Sequence, residues 1–133
     1  MELRRIHHVA FAHESANEAH AILSSVLGLE ITATEAGAGL LERILPVGDG
    51  SVQTLEAVGP GIIERFTSRR GDALHHIAFE VDDVTDAVRE LHDRGVEMID
   101  SEPRPGGDGT LVAFINPSST AGLLIELVQV PPR

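Results

Sequence analysis

The sequence predicts an α+β fold made of two tandem βαβββ modules, whose curved mixed sheets form a cleft suited to a metal. Three observations carry this reading. Ile6-His7-His8-Val9-Ala10-Phe11 recurs as Leu74-His75-His76-Ile77-Ala78-Phe79, so an apolar strand bearing a His pair occurs twice, 68 residues apart in a chain of 133. The glycine that closes the next segment recurs as well, as Gly28 and Gly95. A glutamate, Glu126, interrupts the otherwise apolar run from Leu123 to Val128. A repeat of half a chain implies two copies of one supersecondary unit, neither of which buries its apolar face alone.

The elements follow in order. Residues 3–11 read as a strand. Ser15-x-x-Glu18 is a capping-box signal, and Ala19, Ile22, Leu23, Val26 and Leu27 recur with helical spacing up to a stop at Gly28. Runs near 29–35, 40–47 and 51–57 are short strands, separated by Ala36-Gly37-Ala38-Gly39 and Gly48-Asp49-Gly50. Gly59-Pro60-Gly61 then leads into a short linking helix over 62–70. The second copy starts with strand 74–81. Asp82-Asp83 opens a helix with Val84, Ala87, Val88 and Leu91 on one face, stopped at Gly95. Runs near 96–100, 110–116 and 122–130 complete it, with turns at 103–109 and 116–118. The expectation is one domain over 1–133: module one 1–58, linker 59–72, module two 73–130.

Composition limits the function. The net charge of −11, with ten Arg and no Lys, argues against a nucleic-acid partner, because phosphate affinity rests on cationic side chains. An anionic ligand must meet a local patch such as Arg65, Arg69 and Arg70, and those residues also read as a solvated helix end. Cysteine is absent, which removes disulfide and thiolate chemistry. No run has the length of a signal peptide or a membrane span, so the expected location is cytoplasmic, without a membrane partner.

Polar residues inside apolar strands are the informative exceptions. A buried Glu126 needs a cation, a metal or several donors; on an edge strand it would simply face water. His8 and His76 hold equivalent places, and imidazole is the commonest metal ligand. The repeat adds a fourth member, because the strand matching that of Glu126 is 51–57, with Gln53 at its centre. Two nitrogens and two oxygens suit a divalent first-row metal: cobalt, nickel, manganese, zinc or iron. His7 and His75 fall on the opposite strand face. Glu42 shares a face with Leu40 and Ile44 beside Gln53's strand. It reads equally as a group reaching a bound ligand or as a surface charge paired with Arg43.

These residues resemble the vicinal oxygen chelate superfamily (glyoxalases, bleomycin resistance proteins and dioxygenases), which is built from paired βαβββ modules around a metal. Within it the chain is most similar to the methylmalonyl-CoA epimerases. The matching segments are Ile6 to Ala10, Gly71 to Asp83, Glu102-Pro103-Arg104 and Gly122 to Gln129. The chain departs from that pattern at His7, Ile22-Leu23, the linker Gly59-Pro60-Gly61-Ile62-Ile63 and Asn116-Pro117-Ser118, none of them a candidate ligand. The resemblance implies that His8, Gln53, His76 and Glu126 hold the metal, with cobalt favoured, and that Glu42 and Glu126 carry protons in catalysis. It implies a homodimeric epimerase that interconverts 2R and 2S methylmalonyl-CoA, or a related 2-alkylmalonyl-CoA, through a metal-stabilised enolate. A glyoxalase I-type enzyme acting on a thiol hemithioacetal is the nearest rival. A non-catalytic resistance protein and an extradiol dioxygenase are the others.

Overall fold

The computed structural model describes residues 1–132. Its element order repeats one plan twice, as expected. The first copy comprises β1 (Arg5–His13), α1 (Asn17–His20), β2 (Ala33–Gly37), β3 (Leu40–Val47) and β4 (Gly50–Ala57). After the linking helix α2 (Ile62–Arg70) come β5 (Ala73–Glu80), α3 (Val84–Asp93), β6 (Arg104–Pro105), β7 (Leu111–Ile115) and β8 (Ile125–Gln129). The backbone gathers into two compact units: His8–His75, and Met1–His7 together with the chain from His76 onward.

In the His8–His75 unit the strand order is β2-β3-β4-β1, with β1 parallel to β4 and the other pairs antiparallel. The β2–β3 hairpin turns through Ala38 and Gly39, both with positive φ. Gly39 is also required on contact grounds, since a Cβ there would sit 2.2 Å from the carbonyl oxygen of Pro60. Ala10, Ala12 and Leu55 pack against Ile63 of α2, with Phe66 beside them.

The other unit has the equivalent order β5-β8-β7-β6, again with one parallel pair, β5 and β8. Asp83 caps α3, its carboxylate accepting from the Asp86 N–H at 3.0 Å. Val84, Ala87, Val88 and Leu91 of α3 bury against Ala113, Ile115 and Leu127, a stripe that contributes roughly 1.5–3 kcal/mol per large apolar side chain.

Two elements differ from expectation. α1 is a single turn that runs on as a π-helix over Ala21–Val26, and its N-cap is Ala16, without a side-chain cap bond. Wider i→i+5 turns throw a 3.6-residue apolar stripe out of line. Ile22, Val26 and Leu27 accordingly stand 55%, 69% and 64% exposed. The run 96–100 makes one bridge, Met98 to Ile115, and no strand. Beside that bridge the Ile99 N–H donates to the Phe114 carbonyl of β7, while Glu97 bonds beyond the strand, accepting from the Asn116 N–H and donating its own N–H to Ser119 Oγ. The two-residue β6 takes its place, inside the predicted 103–109 turn.

Candidate functional site

Strand alternation decides which side chains share a face. In the unit containing His76, Ala78 stands opposite Glu126 in the parallel β5–β8 ladder, and Phe114 stands opposite Glu126 across β7–β8. His76, two residues before Ala78, therefore shares the face of Glu126 and Phe114. His76 Nε2 lies 3.9 Å from Glu126 Oε2, too far for a hydrogen bond. It is still less than the sum of two metal–ligand bonds of about 2.1 Å each, so one cation can touch both groups. Phe114 meets the imidazole edge-on, with centroids 5.3 Å apart and planes at 85°. Both His76 and Glu126 are only 7% exposed.

The unit containing His8 has the same construction. Ala10, two residues past His8, stands opposite Gln53 in the parallel β1–β4 ladder, and Ile44 stands opposite Gln53 across β3–β4. His8 is 5% and Gln53 7% exposed. Gln53 and Glu126 thus occupy the same ladder position, each across from an alanine (Ala10 and Ala78) that is wholly buried.

Glu42 is half-buried and stands opposite Leu55, one ladder step from the Gln53–Ile44 pair and on its face. Arg43, on the other face, bonds Glu56 through Nη1 at 2.8 Å. The partner of that guanidinium is therefore Glu56 on β4. Glu35 stands directly across β2–β3 from Glu42, a like-charge pairing that costs a few tenths to about 1 kcal/mol in an ordinary sheet.

The flanking histidines have another character. Burial pushes the imidazole of His75 below its ordinary pKa, helped by Arg70, and the ring packs edge-on against Phe66 at 4.9 Å. Burial likewise lowers His7, aided by Arg5 and opposed by Glu80. Both are neutral at pH 7. Arg65, Arg69 and Arg70 line the exposed end of α2, and Arg70 lies 5.5 Å from the centre of the Phe66 ring.

Three contributors gave no motif in the sequence. Phe114 sits in an apolar run and shows its contact with His76 only through the β7–β8 register. Asp100 accepts from the Phe114 N–H at 2.8 Å and from Arg104 Nε at 3.1 Å. Glu35 lies at the middle of the short strand β2 and is placed by the hairpin.

Residues 7–114 match the family model described as the Glyoxalase/Bleomycin resistance protein/Dioxygenase superfamily. The chain is 32% identical over 131 residues to the uncharacterized protein YqjC of Bacillus subtilis, covering 96% of this chain and 93% of that one. It is 31% identical over 131 residues to the ethylmalonyl-CoA/methylmalonyl-CoA epimerase of Cereibacter sphaeroides, covering 95% and 98%. Among solved structures, Streptomyces coelicolor methylmalonyl-CoA epimerase in complex with 2-nitronate-propionyl-CoA superposes with a TM-score of 0.87 at 28% identity, covering 97% of this chain and 96% of that one.

Proposed function

From the premise that this chain belongs to the glyoxalase/bleomycin resistance protein/dioxygenase superfamily, we propose that it is a metal-dependent epimerase. Its substrate is methylmalonyl-CoA or a related 2-alkylmalonyl-CoA, interconverted between the 2R and 2S forms. The observation that carries the proposal is the duplicated ladder: in each half a buried His lies two residues before a buried alanine that stands in register with a buried oxygen donor, Gln53 or Glu126. Relatives named as epimerases of this substrate class add support.

In this reading His8, Gln53, His76 and Glu126 hold a divalent first-row metal, cobalt before nickel, manganese, zinc or iron, and their mixed nitrogen and oxygen donors fit such an ion. The bound metal supplies Lewis acidity to the thioester and carboxylate oxygens of the substrate. The chain's own residues move the protons. Epimerisation removes the acidic hydrogen from C2 and returns one to the opposite face of the planar enolate. That requires two proton-carrying groups; Glu42 is one and Glu126 the other. Gln53 contributes an oxygen donor without a negative charge, so the donor set carries one carboxylate rather than two. The apolar surroundings of Phe114 and Ile44 limit water near these groups. The reading extends to one domain of two modules acting as a cytoplasmic homodimer.

The test is proton NMR of methylmalonyl-CoA in deuterated water, with metal-reconstituted protein and a chelator-treated control. Fast, metal-dependent loss of the C2 proton signal is expected. A metal-loaded protein that exchanges no faster than its control would sink the reading and favour a thiol hemithioacetal as substrate.

A further inference from the structure

In the unit containing His76, Arg5 and Arg104 are each held by a carboxylate through Nε, the 28% exposed Arg5 by Glu80 at 2.8 Å and the far more exposed Arg104 by Asp100. Arg4 directs its terminal nitrogens at Asp82 and Glu2, Arg89 at Asp86, and Arg94 at Glu90. Arg104 bonds Asp100 through Nε alone, at 3.1 Å. Its Cζ lies 5.5 Å from the centre of the Phe114 ring. Asp100 is itself anchored, its second oxygen accepting from the Phe114 N–H. The guanidinium is thus fixed at one edge and stacked on an aromatic face, and its Nη groups are left to donate outward. Its side chain is 54% exposed.

Its position is as informative as its bonds. Arg104 stands opposite Val112, on the face that carries Phe114, Glu126 and His76. The ring of Phe114 separates it from His76, so the guanidinium lies no more than about 11 Å from that imidazole. It is the only Arg or Lys on β5, β6, β7 and β8. In the first copy the equivalent hairpin position holds Glu35, across from Glu42. One half therefore offers carboxylates at this edge, and the other a preorganised cation in a chain of net charge −11.

We propose that Arg104 is a substrate-binding residue that takes an anionic oxygen group of the acyl-CoA, through terminal nitrogens that Asp100 and Phe114 hold in place. This rests on the function proposed above. Two parts of such a substrate carry the required chemistry, the free carboxylate of the acyl group and the phosphates of the carrier.

The experiment is calorimetric titration of the metal-loaded protein with malonyl-CoA and with malonyl-pantetheine, which lacks the phosphates, comparing wild type with Arg104→Met. Methionine keeps an apolar stem over Phe114 and removes the charge. Affinity for malonyl-CoA is expected to fall about 10- to 100-fold, the usual size for a charged hydrogen bond, with metal content and melting temperature unchanged. An equal loss with malonyl-pantetheine assigns the contact to the carboxylate, and a loss confined to malonyl-CoA assigns it to the phosphates. Undiminished affinity for both ligands overturns the proposal. So does a loss that follows reduced metal content, because Arg104 would then act only through Phe114 and His76. A wild-type chain that binds neither ligand instead removes the proposed substrate class and this assignment with it.

Discussion

The two halves of the chain agree where strands meet in parallel and differ at the outer edges. His8-x-Ala10 facing Gln53 and His76-x-Ala78 facing Glu126 are one arrangement written twice. The neighbouring positions have diverged. Ile44 and Phe114 are equivalent; Glu42 matches Val112, and Glu35 matches Arg104. The helices have diverged too: α3 buries four apolar residues, whereas the α1 and π-helical segments bury none. On the proposed function, the common core serves what both halves must do, which is to present metal ligands. The edges differ in charge, with the carboxylates Glu35 and Glu42 in the first half and the cation Arg104 in the second; on the proposed function these would carry a proton and bind an anion respectively.

The largest expected effects break the symmetric part. His8→Ala and His76→Ala should each empty the proposed metal site, with affinity falling by more than the roughly 10- to 100-fold typical of supporting residues alone. Metal content after gel filtration checks this. If only one of the two variants lost its metal, the halves would not be equivalent and the four-residue site would fail. Glu42→Gln tests the asymmetric part. It should keep metal and fold while C2 proton exchange drops about 10²- to 10⁴-fold, the range for a general acid–base group. Undiminished exchange would return Glu42 to the role of an ordinary strand residue.

Next in size is the contrast between helices. Leu91→Ala removes a side chain buried against the second half's sheet and should cost about 2–5 kcal/mol. Ile22→Ala removes a side chain 55% exposed and should stay within about 0.5 kcal/mol. Chemical denaturation of both variants measures the difference. Comparable losses would mean that the first half's helical segment is covered in solution, for instance by a second copy of the chain.

Much of this was legible in the sequence because strands and repeats leave a direct signature. Alternation with period two separated His8 and His76 from His7 and His75, and the repeat singled out Gln53, which has no motif of its own; His8, Gln53, His76 and Glu126 are each buried. The strand runs at 40–47 and 51–57 fell close to β3 and β4. Other features are products of register and packing. The spacing of Ile22, Val26 and Leu27 is a sound helical stripe, yet nothing in it announces i→i+5 bonding. The run 96–100 is apolar enough for a strand, but it meets β7 only around Met98 and Ile99, and Glu97 already bonds Asn116 and Ser119 beyond the strand end. Glu42 and Arg43 are neighbours in sequence and face opposite ways in the strand, so the partner of Arg43 came from β4. Phe114 beside His76 required knowing which residue of β7 faces Glu126.

The smallest effect concerns acid, and it should separate the halves once more. The first half tethers its short helix through a polar contact, His20 Nε2 to Thr54 Oγ1 at 2.9 Å, where the second half uses buried hydrocarbon. Burial lowers the His20 pKa below its ordinary 6.5, with Arg43 and His13 also disfavouring the charge and Glu56 favouring it. For a base depressed in the folded state, the unfolded chain takes up the proton first as pH falls. The stability that neutral His20 contributes is therefore complete above 6.5 and is lost as pH drops from there toward its folded value. Amide exchange, corrected for intrinsic rates, should show protection over Ala21–Val26 declining as pH falls below the ordinary imidazole value of 6.5. Amides of α3 should hold, and Thr54→Val should remove most of the pH dependence by removing the tether. If both segments loosened in parallel, the acid response would belong to the whole fold and the tether would explain none of it.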